Sequence, residues 1–224
     1  MATDLLFDDD MIKMLETQLN GMPQDLRILE AGCGRSWPLK LSRPYHITGI
    51  DMDQAALAVR TDLNRAVVGD LRTAEFPDRS FDVIYSSYVL EHISGAEQVL
   101  ERFLNWLAPG GVVIFAVPDR DSAYGFATRM TPFWLHVWFY RHIVGLRQAG
   151  TPGYGPYPTC HDPVVSISGV RRFCEQRKLP APHIYRIRER NQERTVTAVT
   201  FLLSIVSLGN LSWRHNAFLC MLGK

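Results

Sequence analysis

The sequence predicts an α/β protein built on a doubly wound, mostly parallel sheet, and three observations carry that reading. Ile28 to Ser36, Ile-Leu-Glu-Ala-Gly-Cys-Gly-Arg-Ser, is an apolar run that stops at an acid and turns through two glycines. Ile47 to Asp51, Val67 to Leu71 and Phe81 to Ser86 are further short apolar runs, and the first two carry a closing acid at Asp51 and Asp70. Apolar runs that continue rather than alternate belong to strands covered on both faces. With 224 residues, 46% of them hydrophobic, the chain has the size of one such domain with a decorated edge.

Taken in order, Asp8, Asp9 and Asp10 are N-cap and first-turn residues for a helix carrying Met11, Ile12, Leu15 and Leu19, closed by Gly21 and Pro23. Arg27-Ile28-Leu29 ends a buried strand beside it. Gly32 and Gly34 permit a backbone turn and an approach that a Cβ would forbid, so a ligand is expected against them. A dinucleotide-binding turn, G-x-G-x-x-G, would place a third glycine where Trp37 stands. Glu30 argues the same way, because its carboxylate repels a pyrophosphate but suits an ammonium or sulfonium charge. Between Gly34 and Gly49 the spacing allows one short helix, begun by Ser36, with Pro38 in its first turn, and ended before Pro44. Asp53 then opens an alanine-rich helix through Arg60.

Leu107-Ala108-Pro109-Gly110-Gly111 turns into a further strand, Val112 to Pro118. With that piece, the order of motifs over residues 26 to 118 resembles the class I S-adenosylmethionine-dependent methyltransferases. The resemblance implies a Rossmann-like sheet of seven strands with an antiparallel last strand, S-adenosylmethionine as cofactor, S-adenosylhomocysteine as product, and no metal. It further implies that Glu30, Gly32, Gly34 and Ser86 line the cofactor site, that Asp51 accepts from ribose hydroxyls, and that Asp70, with Leu71, meets the adenine amino group. Met52 is expected on the adenine face, its alternative being ordinary core. Ser36 departs from the family, which often has a third glycine there. In the family the leading segment often folds over the cofactor, so Leu5, Leu6 and Phe7 are read either as such a cover or as edge packing.

Ser86-Ser87-Tyr88-Val89-Leu90-Glu91-His92-Ile93 follows the fourth of these strands and reaches the crevice where the methyl donor would lie. Glu91 and His92 are the candidate catalytic residues, as base or orienting group, against an equal expectation of a structural histidine. Residues 119–163 form an insertion. Within it Phe133-Trp134-Leu135-His136-Val137-Trp138-Phe139-Tyr140 is a helix apolar nearly all round, expected to pack one face on the core while the other lines a pocket, meets a partner or touches lipid. Gly150 to Pro158, with Tyr154 and Tyr157, reads as a lid or rim. Tyr88, Tyr124, Trp134, Trp138, Tyr154 and Tyr157 are the expected acceptor pocket. Residues 164–224 complete the single domain with a helix from Ser168 to Lys178, a strand from Pro182 to Arg190 and a closing strand from Asn216 to Leu222. Thr195 to Trp213 is uncharged but rich in Thr and Ser, and reads as a packed helical insertion rather than a membrane span.

A net charge of +1 gives no broad footprint for nucleic acid, and the locally basic Arg171, Arg172, Arg177 and Lys178, then Arg186, Arg188, Arg190 and Arg194, read as solvated faces, with an anionic substrate or membrane headgroups as the alternative. The four cysteines form no C-x-x-C pair, Cys160-His161-Asp162 reads as a loop segment, and the amino terminus lacks a signal-peptide profile, so a reduced, cytoplasmic protein is expected. The functional expectation is methyl transfer to a small, apolar or aromatic acceptor, such as a natural product or lipid-like molecule, with at most weak contact to a membrane surface. A non-methylating protein on the same scaffold and a methyltransferase of protein or RNA are the rivals.

Overall fold

The computed structural model describes residues 5–22, 25–143, 145–151, 154–160, 162–188 and 194–223. Pro23, Pro152, Gly153, His161 and Arg190, and the side chains of Phe7, Asp8, Asp9, Arg194 and Thr195, lie outside the described residues. Strands are β1 (Leu5–Phe7), β2 (Leu26–Ala31), β3 (Tyr45–Asp51), β4 (Arg65–Val68), β5 (Phe81–Ser87), β6 (Leu107–Pro118), β7 (His183–Arg188) and β8 (Ala217–Gly223). Helices are α1 (Asp8–Asn20), α2 (Gln54–Ala58), α3 (Ala96–Trp106), α4 (Ala123–Met130), α5 (Phe133–His142), α6 (Ile167–Gln176) and α7 (Arg194–Val206), with a 3-10 turn at Leu90–His92.

The strands form one sheet in the order β1-β7-β8-β6-β5-β2-β3-β4. β8 runs antiparallel to β6 and β7, and the other pairings are parallel. Alternation along each central strand sends residues to two apolar layers. Leu29, Ile84, Val113, Phe115 and Phe218 meet α3 and α6 on one face, whereas Ile28, Val83, Ile114, Leu219 and Met221 meet Met11, Leu15 and Leu19 of α1 on the other. Chain order reverses between β2 and β5, and at that switch point the carboxyl ends of the strands open a crevice for ligands.

The sheet has eight strands instead of the seven expected. Leu5–Phe7 pairs in parallel with Arg186–Arg188 at the edge, on the far side of the sheet from β2, so the leading segment is edge packing and no cofactor cover. The short helix expected between Ser36 and Pro44 is absent. Pro38 and Pro44 remove two amide donors, and the amides of Lys40 and Ser42 are taken by Glu16 and Asn20 of α1, which hold that stretch extended around a buried Leu39. The turn expected over Leu107 to Gly111 is already strand, with Leu107 paired to Phe81 across an irregularity in register.

The insertions are helical as expected, but their packing differs from expectation. α5 has no buried residue, although its composition called for one face on the core. α7 packs against α4 and buries Thr200, leaving a second face open. The return from α7 to β8 is tied to the turn after β6 by His215, whose Nε2 lies 2.9 Å from Asp119 Oδ2 and whose Nδ1 lies 3.1 Å from Ser212 Oγ.

Candidate active site

The glycine turn lies at the carboxyl end of β2, where the amides of Gly32 and Cys33 both donate to Ile50 O on β3. Gly32 has φ +74, and a Cβ there would stand 2.3 Å from Val89 Cγ2, so the turn and the segment before the 3-10 turn are packed together through a glycine. Gly34, at φ +52, faces open space that a Cβ would enter. A cavity of about 280 Å³ adjoins it, lined by Glu30, Gly32, Gly34, Ser36, Tyr85 and Ser87 among others.

Asp51 closes this turn from β3. Its Oδ2 accepts from Gly34 N at 2.8 Å and its Oδ1 from Asp53 N at 2.8 Å, and carboxylate lone pairs remain for a ligand. Glu30 is buried, and its cation is internal: Arg60 Nη2 lies 2.6 Å from Glu30 Oε2, while the same guanidinium binds Asp62 and donates through Nη1 to Cys33 O. Burial pushes the Glu30 carboxyl up to about 7, with the Arg60 bonds pulling the other way. Burial also pushes the Cys33 thiol up to about 12, which leaves it inert. Cys160 lies in a loop, its amide donating to Glu91 O and its thiol to His92 O.

Beyond Ser87 the chain crosses into a second, larger cavity of about 460 Å³. Tyr88, at φ +55, is tied to the end of β6 by its amide, which donates to Ala116 O. Tyr88, Glu91, His92, Tyr124 and Tyr157 line this cavity with Arg120 and Arg129, and α5 contributes Phe133, His136 and Tyr140. Ser87 lines the first cavity and Tyr88, the next residue, lines the second.

Glu91 is buried, its Oε2 has no hydrogen-bond partner among the described residues, and burial pushes its carboxyl up to about 8. His92 Nδ1 lies 2.8 Å from Pro158 O, a contact in which the carbonyl accepts, so the proton sits on Nδ1 and the lone pair on Nε2. That Nε2 is 3.8 Å from Glu91 Oε1. Burial lowers the His92 pKa against the opposing Pro158 bond, so the ring is neutral at pH 7.

Several expected site residues stand elsewhere. Ser86 is buried on the opposite side of β5, and its neighbours Tyr85 and Ser87 line the glycine cavity, since successive strand residues face opposite ways. Leu71 is buried in the α3 layer, so only its backbone is available to a ligand. Asp70 is bonded to Arg72, which holds the carboxyl below its usual range. Met52 is not core; it is 69% exposed beside the Asp51 end of β3. Trp134, Trp138 and Tyr154 do not line the larger cavity and are exposed: helical spacing turns Phe133, His136 and Tyr140 inward and Trp134 with Trp138 outward. Sequence reasoning missed Arg60, His136, Arg120 and Arg129. For His136 and Arg129 the absence of any Asp or Glu between Ser122 and His161 was the available signal of a basic lining; Arg120, between Asp119 and Asp121, and Arg60 carried none.

A doubly wound sheet with a glycine turn at its switch point and an acid on the neighbouring strand defines a nucleotide-cofactor protein of the Rossmann-like class. Residues 7–150 match a family model described as a methyltransferase domain, and the chain belongs to that family. It is 33% identical over 112 residues to a probable S-adenosylmethionine-dependent methyltransferase of Mycolicibacterium smegmatis, covering 47% of this chain and 44% of that protein. It is 31% identical over 102 residues to phosphoethanolamine N-methyltransferase 1 of Arabidopsis thaliana, covering 40% of this chain and 20% of that one. The chain thus spans less than half the length of these curated relatives. The crystal structure of a SAM dependent methyltransferase from Archaeoglobus fulgidus shares the fold, with a TM-score of 0.58 at 13% identity, over 96% of this chain and 93% of that one.

Proposed function

We propose that the chain binds S-adenosylmethionine against the glycine turn and transfers its methyl group to a small acceptor held in the larger cavity. The observation that carries this reading is that consecutive residues, Ser87 and Tyr88, line two separate cavities, one at the glycine turn and one under the aromatic insertion. The open space at Gly34 and the carboxylate of Asp51 fit the cofactor's close approach and its ribose hydroxyls. Met52, one residue past β3, and Asp70, two past β4, are the residues this reading assigns to the adenine end. When bound, S-adenosylmethionine supplies an electrophilic methyl group on a sulfonium centre. The chain's task is to align an acceptor atom in reach of that group and to exclude water.

Five aromatic rings, Tyr88, Tyr124, Phe133, Tyr140 and Tyr157, and the cations Arg120 and Arg129 line the acceptor cavity, which favours an acceptor with a flat apolar part and a polar or anionic end. For an acceptor that arrives protonated, His92 Nε2 is the base available at neutral pH, because Glu91 is then in its acid form and donates rather than accepts. Trp134, Trp138 and Tyr154 are left out of this pocket. The test is turnover of S-adenosylmethionine to S-adenosylhomocysteine with a panel of phenolic, amine and phosphate-ester acceptors. Turnover that needs the acceptor and falls at least about tenfold in Tyr140→Ala supports the reading. Binding of S-adenosylmethionine with no turnover of any acceptor overturns the methyl-transfer part.

A further inference from the structure

α7 carries a broad uncovered apolar face. Its exposed large residues are Val199 and two adjacent pairs four residues apart, Phe201 with Leu202 and Ile205 with Val206, and Leu208 beyond its end is 91% exposed. α4 occupies the other side of the helix. The exposure is not scattered: apart from Leu5, Met52, Val59, Val68 and Tyr88, the exposed large apolar side chains among the described residues all lie within 130–157 or 199–208. A monomer in water gains nothing from collecting them there.

The charge pattern of these segments specifies what covers them. The chain has 23 Asp and Glu residues, yet none lies between Ser122 and His161 and none follows Glu193. Arg141, Arg147 and Arg214 stand exposed in those same stretches. Trp134 and Trp138, turned away from the acceptor cavity, add amphipathic rings of the kind that settle at headgroup depth. At 13 residues α7 is short, and among the described residues no helix is long and apolar enough to cross a membrane. Trp213 packs on Phe201 of α7 and the Arg188 guanidinium lies over the Trp213 ring, so arginine and no carboxylate adjoins the apolar face in this stretch, which is complementary to an anionic bilayer surface into which such a helix sinks parallel to the plane.

We propose that the uncovered face of α7 docks the protein on an anionic lipid bilayer. α4, the helix that supports α7, also lines the acceptor cavity through Tyr124, Thr128 and Arg129, so docking sets that cavity close to the lipid. The inference concerns location and stands whether or not the acceptor is methylated. The test is co-sedimentation of the full chain with vesicles of phosphatidylcholine alone or mixed with phosphatidylglycerol, at low and high salt. The proposal expects binding to the mixed vesicles that weakens with salt. It also expects at least about tenfold weaker binding for Leu202→Ser/Ile205→Ser, because two branched apolar side chains no longer enter the lipid. Val206→Ser/Leu208→Ser, at the most exposed end, is the second variant, with a thermal melt checking that each folds. No binding to mixed vesicles, or undiminished binding by both folded variants, overturns it. So does a concentration-dependent dimer in gel filtration that these substitutions abolish without vesicle binding, since the face would then be an interface between copies of this chain.

Discussion

At Glu91 and His92 two groups sit side by side with their proton affinities moved in opposite directions by the same burial, and that contrast makes the base identifiable. If His92 Nε2 takes the proton, kcat stays flat downward from pH 8 until below the ordinary histidine range, and His92→Ala lowers it by about 10² to 10⁴ at pH 7. If Glu91 is the base, kcat instead climbs as pH rises toward 8, where its carboxylate forms. A pH profile of kcat on the two single variants separates these. Glu91 also makes a stability prediction. Its carboxyl is held protonated by the fold, from an ordinary 4.5 to about 8, so its stabilising contribution is complete below 4.5 and is lost as pH rises through 8. Glu91→Gln, neutral at every pH, should therefore melt at a higher temperature than the parent at pH 9, with the gap closing toward pH 4. Beneath the glycine turn, Arg60→Met leaves Glu30 buried without its cation and should cost about 3 to 5 kcal/mol in denaturant unfolding, whereas Glu30→Gln/Arg60→Met should recover much of that loss.

Among the elements, the outward and inward faces of α5 make different predictions. Tyr140→Ala should raise KM for the acceptor, since it removes ring area from the cavity wall, while Trp138→Ala should leave both KM and kcat for a dissolved acceptor near parental values. An acceptor titration on both variants checks this. The composition of α5 revealed that the helix is apolar all round but not which face turned inward, because packing in three dimensions, and not periodicity, breaks the tie between its faces. α1 posed no such difficulty: Met11, Leu15 and Leu19 form one stripe against polar neighbours, and that stripe is buried. The stretch from Ser36 to Pro44 defeated reading for another reason. What holds it extended is Glu16 and Asn20 of a distant helix, and no local signal carries that. Similarly, Glu30 read alone called for an external cation, and only the fold brings Arg60 to it from 30 residues away.

At the scale of the whole molecule, the parallel half of the sheet, β2 to β6, delivers its strand ends to one crevice, and the motifs legible there were the ones tied to backbone geometry: two glycines and an acid at a strand end. The half beyond β6 carries the insertions that shape the acceptor cavity, and its chemistry was legible only as composition. The central claim is that the glycine turn at the switch point takes a sulfonium cofactor in place of a dinucleotide. Calorimetric titration of the full chain with S-adenosylmethionine, S-adenosylhomocysteine and NAD tests it, with Asp51→Ala alongside. Expected are binding of the first two, none of NAD, and about 10- to 100-fold weaker binding in folded Asp51→Ala, which forgoes charge-assisted bonds of roughly 1.5 to 3 kcal/mol. Binding of NAD with none of the sulfonium compound, or an undiminished affinity in Asp51→Ala, would contradict it.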